Sequence, residues 1–179
     1  QNIYLFPNGL NPSFFHPVLP VSRDIDFLYV SSFEPRKNHS NLIDALFRYK
    51  SVNPNFLAYF VGHDNGSLND IKSLIFSYNL FNNVFVLEDA SDDLLLSLYD
   101  RTHTLVFPSF FEGFGMPILE ALSRNCFVCC SNIPPFHEFD SASLFYFDPY
   151  DVDSIFTCLT HVSSLKSASE SCSTVSEYK

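Results

Sequence analysis

The sequence predicts an α/β domain, a parallel sheet with helices on both faces. Three observations carry this. From about Ile25 onward, short apolar runs alternate with amphipathic stretches, the pattern of βαβ units. The short runs are apolar throughout, as expected of parallel strands buried on both faces. The chain has 179 residues, 46% hydrophobic and only 17% charged, enough for one domain with a sizeable core.

Residues 1–20 read as an extended lead-in, because Pro7, Pro12, Pro17 and Pro20 forbid a long helix. Asn8-Gly9 marks a turn within it. Phe27–Val30 is the first buried strand. Asn38 to about Lys50 is a helix, with Leu42, Ile43, Leu46 and Phe47 on one face and Asn38 or Ser40 as its cap. Phe56–Val61 is a strand ended by Gly62, and Leu68 to about Asn79 a helix. Val84–Leu87 is a strand. Ser91–Arg101 is a helix capped by Ser91, with Asp92 and Asp93 favourably placed in its first turn. Leu105–Phe107 is a strand and Pro117–Arg124 a helix. Phe127–Cys130 and Leu144–Phe147 are further strands. Asp151 or Asp153 caps a last helix through about Leu165, and the Ser-rich tail beyond is expected to be disordered.

Composition excludes several classes. A formal net charge of −10 argues against a nucleic-acid partner, which calls for a basic face. The 21 Phe residues sit within apolar runs and read as core filling. No run is long and apolar enough to span a bilayer, and the sequence from Gln1 onward does not read as a signal peptide. The five Cys show no disulfide-framework spacing. Cys126 and Cys129 lie three apart in one strand, so they point to opposite faces. They are expected to be buried reduced thiols in a cytosolic setting, with no metal site.

The segment Pro108–Ala121 is the most informative. It joins a strand, a glycine turn (Gly113-Phe114-Gly115) and a helix start, where backbone N–H groups can meet an anion. Two of the chain's five Gly lie there. Glu112 and Glu120, eight positions apart, flank the turn and can accept hydrogen bonds from sugar hydroxyls. In parallel sheets ligands bind beyond the carboxyl ends of the strands. Ser31–Lys37 follows the first strand and should reach the same edge. Arg36 can grip phosphate oxygens in a fork, and Lys37 supplies a point charge. Alone, that pair would read as solvated charges before a helix; with the Glu112 turn on the same edge, phosphate binding is the better reading. The expected ligand is phosphate-bearing and hydroxyl-rich, such as a nucleotide sugar. Weaker candidates are His39, His63, Ser131 and Asn132. Asp151-Val152-Asp153 is formally a metal-binding pattern, but capping explains it better.

Ser32-Phe33-Glu34-Pro35-Arg36-Lys37-Asn38-His39 resembles the Glu-Pro-Arg-Lys-Asn motif of retaining glycosyltransferases of family 4. Pro108–Ala121 resembles their Glu-x7-Glu motif. Pro7-Asn8-Gly9 and Asp148-Pro149-Tyr150-Asp151 are similar to the start and the late turn of their C-terminal domain. The matches run in order over about residues 1–165. The resemblance implies the C-terminal, Rossmann-like half of a GT-B enzyme. It divides the chain into an interdomain segment (1–20), a nucleotide-sugar-binding domain (21–165) and a tail (166–179). It implies transfer of a sugar, GDP-mannose being the plausible donor, to an acceptor hydroxyl with retention. Arg36, Lys37 and Glu112 would be catalytic, the cations stabilising the leaving diphosphate and Glu112 contacting the sugar. Gly113, Phe114 and Gly115 would add donor contacts, and Glu120 would hold the ribose. No metal or cofactor is implied. The acceptor, a glycan or lipid-linked glycan, would be held by an N-terminal domain, without which this half would be inactive. The expected location is the cytoplasm, including the membrane surface. The alternative is a non-catalytic nucleotide-sugar-binding module or degenerate remnant. An epimerase or phosphorylase of the same superfold finds no specific feature here. Departures from the family pattern are Ser32 where many relatives have Arg, Asn125 where Gly is usual, and Phe127 where Pro is usual.

Overall fold

The computed structural model describes residues 12–15, 17 and 21–174. Six parallel strands form one sheet: β1 (Ile25–Val30), β2 (Ala58–Gly62), β3 (Val84–Glu88), β4 (Thr102–Phe107), β5 (Phe127–Ser131) and β6 (Leu144–Phe147). The order across the sheet is β3-β2-β1-β4-β5-β6. Growth therefore runs one way from β1 through β3, then reverses to place β4 on the other side of β1. That reversal is the switch point at which doubly wound sheets open a crevice for ligands.

The helices are α1 (His39–Tyr49), α2 (Leu68–Ser77), α3 (Asp92–Arg101), α4 (Met116–Ser123) and α5 (Val152–Thr174). α1 packs against α2 and α5, while α3 and α4 meet through side-chain pairs described below. Right-handed crossovers on either side of the switch point require this two-layer cover. Cys126, just before β5, and Cys129, within it, register the two layers. The Cys126 thiol donates to the Tyr99 carbonyl of α3 at 3.3 Å, whereas Cys129 faces the Cys158 carbonyl of α5. They point apart as their spacing requires. Cys126, Cys129, Cys130 and Cys158 are free and buried, and burial pushes the Cys126 thiol up to about 11.

Ser91 caps α3, its Oγ accepting from Leu94 N at 3.3 Å. Asp151 caps α5, accepting from Asp153 N at 2.9 Å, which accounts for the Asp-Val-Asp pattern. Asn125 adopts φ 57°, a left-handed conformation that Asn tolerates. Two expectations need correction. α5 continues to Thr174, past the expected end at Leu165 and into the segment read as a disordered tail. No Pro or Gly lies between Asp153 and Thr174, so nothing in the local sequence stops the helix. Asn38 precedes α1 but does not cap it. It sits at φ 58°, and its Nδ2 instead donates to the carbonyls of Pro108 (3.0 Å) and Pro149 (2.8 Å). The Pro7-Asn8-Gly9 turn lies outside the described residues.

Candidate functional site

The switch point places two loops side by side. One follows β1 and contains Ser32, Glu34, Arg36 and Lys37; the other follows β4 and contains Glu112. The two loops are sutured by backbone, since Phe110 N donates to Arg36 O at 3.0 Å. The amide of Asn38, reaching Pro108 O, adds a second tie. From below, the buried Tyr29 hydroxyl donates to the Lys37 carbonyl. The loop bearing the two cations is thus fixed at three points before any ligand arrives.

The side chains form one ionic cluster. Lys37 Nζ lies 2.5 Å from Glu112 Oε1, and Arg36 Nη1 lies 3.1 Å from Glu112 Oε2. Arg36 also donates to the Phe111 carbonyl (2.8 Å) and to Glu34 Oε1 (2.7 Å), which accepts from Ser32 Oγ as well (2.8 Å). Lys37 and Glu112 are largely shielded, their side chains 10% and 11% exposed, whereas that of Arg36 is 40% exposed. Lys37 Nζ also stands 5.6 Å over the Phe107 ring. Ser32 thus braces Glu34, which in turn holds Arg36.

A cleft of about 550 Å³ opens beside this cluster. Lys37, Glu112, Gly115 and Glu120 line it, with Gly62 at the end of β2 and Ser31, His63, Asp89 and Ala90 from the loops after β1, β2 and β3. Gly115 has φ 101°, so the turn needs glycine there, and a Cβ would meet the Phe136 ring at 2.8 Å. Glu120 faces the cluster from α4, and its Oε2 accepts from the Tyr99 hydroxyl at 2.7 Å. Burial raises the Glu120 carboxyl above its ordinary value; the Tyr99 hydrogen bond opposes this and the charge of Asp92 adds to it.

Most of the candidates converge. Lys37, Glu112, Gly115 and Glu120 share the cleft, and Arg36 joins them through Glu112. Gly113 and Phe114 are not on its wall; Phe114 packs edge-on against Phe139 at 5.4 Å instead. His63 lines the cleft, as its position after β2 suggested. His39 does not: it is buried among Tyr29, Phe33 and Phe60. Burial, aided by the charge of Lys37, pushes it down to about 3, so it stays neutral. Ser131 is buried and donates to Phe107 O at 3.4 Å, and Asn132 pairs with His137. Asp89, Ala90 and Tyr99 escaped the sequence reading. The rule that ligand loops follow strand ends would have found the first two; nothing local marks Tyr99.

Comparisons with known proteins agree with this geometry. A model of the family described as glycosyl transferases group 1 matches residues 13–177. The chain is 31% identical over 122 residues to the serotype-specific mannosyltransferase WbdA of Escherichia coli, covering 68% of this chain and 15% of that protein. It is 34% identical over 132 residues to the O-antigen chain mannosyltransferase B of Escherichia coli, covering 72% of this chain and 34% of that one. The chain therefore spans about 15% and 34% of these two relatives. Its fold superposes on the crystal structure of the C-terminal domain of a glycosyl transferase group 1 family protein (LpcC) from Francisella tularensis. The TM-score is 0.74 at 20% identity, covering 87% of this chain and 88% of that domain. With the sheet order, the paired loops and the family match in agreement, the chain belongs to the group 1 glycosyl transferases.

Proposed function

We propose that this domain is the donor-binding half of a retaining glycosyltransferase that moves a sugar from a nucleotide diphosphate to an acceptor hydroxyl. The observation that carries the reading is the meeting of Lys37, Arg36 and Glu112 at the switch point, across one cleft from Glu120. As the glycosyl bond breaks, negative charge builds on the departing diphosphate. Preorganised cations in a shielded site stabilise it without reorganising at the moment of reaction. Lys37 and Arg36 supply that charge, Glu112 contacts the donor sugar, and Glu120 accepts the ribose hydroxyls. Gly115 lets the turn line the cleft while its missing Cβ leaves room for the Phe136 ring. Mannose as the transferred sugar is supported by the mannosyltransferase names of the relatives, and GDP is the carrier proposed with it. The acceptor, a glycan or lipid-linked glycan, belongs to the domain that completes the cleft, and this half alone is inactive.

The test is calorimetric titration of the domain with UDP, GDP, ADP and dTDP. GDP is expected to bind selectively. Glu120→Ala is expected to weaken it roughly 10- to 100-fold, from the loss of one or two hydrogen bonds to a charged acceptor. Equal binding of all four nucleotides, untouched by the substitution, would remove the reading. Because the charge on the leaving group is met by side chains, transfer by the intact enzyme should also survive EDTA unchanged. A loss of activity restored by Mg²⁺ would assign that task to a metal.

A further inference from the structure

We infer that Tyr99 is the positioning residue for Glu120, holding one carboxylate oxygen from inside the protein so that the other is presented to a vicinal diol. This rests on the reading of Glu120 as the ribose acceptor. Tyr99 is fully buried on α3. Its ring stands edge-on to Phe14 at 5.5 Å, and its carbonyl accepts from the Cys126 thiol. The ring therefore has no freedom to follow a mobile carboxylate; the carboxylate must come to it. The hydroxyl donates to Glu120 Oε2 at 2.7 Å, while Oε1 accepts no hydrogen bond from the described residues. A buried tyrosine hydroxyl needs a partner. This one is satisfied by a side chain on a different helix that lines the ligand cleft.

The arrangement does two things. It fixes the carboxylate plane, which a half-buried Glu at the start of a cleft would otherwise be free to rotate. It also supplies the stabilising contact to the ionised form, against burial and the nearby charge of Asp92. The other titratable groups around the same cleft are Lys37, Glu112, His63 and Asp89. A diol donates two hydrogens, so it pairs best with the ionised, acceptor-only carboxylate. A second tie between the same two helices reinforces the geometry: the buried Arg124 at the end of α4 pairs with Asp100 of α3 at 2.6 Å.

Tyr99→Phe keeps the ring and removes only the hydroxyl. The experiment measures binding of the tightest of UDP, GDP and ADP, and of its 2′,3′-dideoxy analogue, to wild type, Tyr99→Phe and Glu120→Gln between pH 5 and 8. In parallel, the Glu120 carboxyl carbon is titrated by NMR without nucleotide. Tyr99→Phe is expected to weaken the ribonucleotide about 3- to 10-fold and leave the dideoxy analogue unchanged, shrinking discrimination as Glu120→Gln does. The pH below which affinity falls should move upward, and the Glu120 titration should move upward with it. A purely structural Tyr99 would lower the melting temperature but leave both the discrimination and the pH midpoint in place, which would overturn the inference. If wild type shows no preference for the ribonucleotide, the assignment of Glu120 falls instead, and the inference falls with it. If Glu120→Gln loses the preference and Tyr99→Phe keeps it, only the inference falls.

Discussion

Lys37→Ala is expected to weaken nucleoside diphosphate binding by about 100-fold or more, whereas Glu112→Gln is expected to strengthen it by about 10-fold while abolishing transfer in the intact enzyme. The two residues form one ion pair, 2.5 Å apart and about nine-tenths shielded from solvent, so a simple view would give them the same phenotype. They differ because of what the ligand brings. A diphosphate is an anion, and in the free domain Glu112 already neutralises Lys37 and shares Arg36. Removing Lys37 takes away the shielded cation and leaves the Glu112 charge to repel the ligand. Truncating one partner of such a pair costs about 2–5 kcal/mol, which sets the size of the loss. Removing the Glu112 charge while keeping its shape frees Lys37 and leaves Arg36 paired with Glu34 alone, and two charges 5 Å apart at an effective dielectric of about 20 interact by roughly 3 kcal/mol. Part of that gain is lost because Lys37 then has fewer groups to orient it. The sugar contact is lost too, so a nucleotide sugar should gain less than the bare diphosphate, and turnover should fall. Calorimetry with the diphosphate and the nucleotide sugar, on both variants, reads all of this. Weaker diphosphate binding by Glu112→Gln would mean that the carboxylate orients Lys37 for the ligand rather than competing with it.

Much of this was legible before the structure. The alternation of apolar runs and amphipathic stretches gives the α/β class because burial on both faces leaves no polar alternation in the strands. Ser91 and Asp151 are legible as caps because capping depends on residues two or three positions away. What local pattern cannot hold is pairing across the sheet. Lys37 and Glu112 are 75 residues apart and meet only because β4 returns beside β1. The sequence placed both at one edge as separate ligand contacts; their mutual pairing depends on strand order. Tyr99 and Glu120 belong to the same class, linked through adjoining helices. Asn38 misled for a related reason. A residue before a helix is expected to cap it, but long-range carbonyls at Pro108 and Pro149 took its amide instead.

Gly62→Ala should unfold the domain at a markedly lower denaturant concentration, with a loss of about 3–5 kcal/mol. Read locally, Gly62 is an ordinary strand-ending glycine, and nothing about its neighbours asks for more. In the sheet it ends β2 where the chain after β1 crosses closest. A Cβ there would lie 1.8 Å from the Ser31 carbonyl oxygen and 2.7 Å from its carbon. Backbone cannot swing aside as a flexible side chain can. Ser31 N donates to Val61 O at 2.9 Å on one side of the contact, and Phe33 N donates to His63 O at 2.9 Å on the other. Admitting a methyl group means parting the two strands and giving up these bonds. Overpacking costs about 1–3 kcal/mol, and each lost bond adds roughly 1 kcal/mol. That is a large share of the ~5–15 kcal/mol that holds a domain together. Gly113→Ala is the control, since a Cβ at Gly113 meets nothing within 4 Å and should change stability by no more than about 0.5 kcal/mol. Urea unfolding of both variants decides the matter; equal midpoints would mean that the two strands can part without cost. The consequence reaches function because Ser31 and Gly62 both line the cleft. The close approach that makes alanine intolerable also brings the ends of β1 and β2 together into one cleft wall. A variant that survived by parting the strands would be expected to fold and yet fail to bind nucleotide.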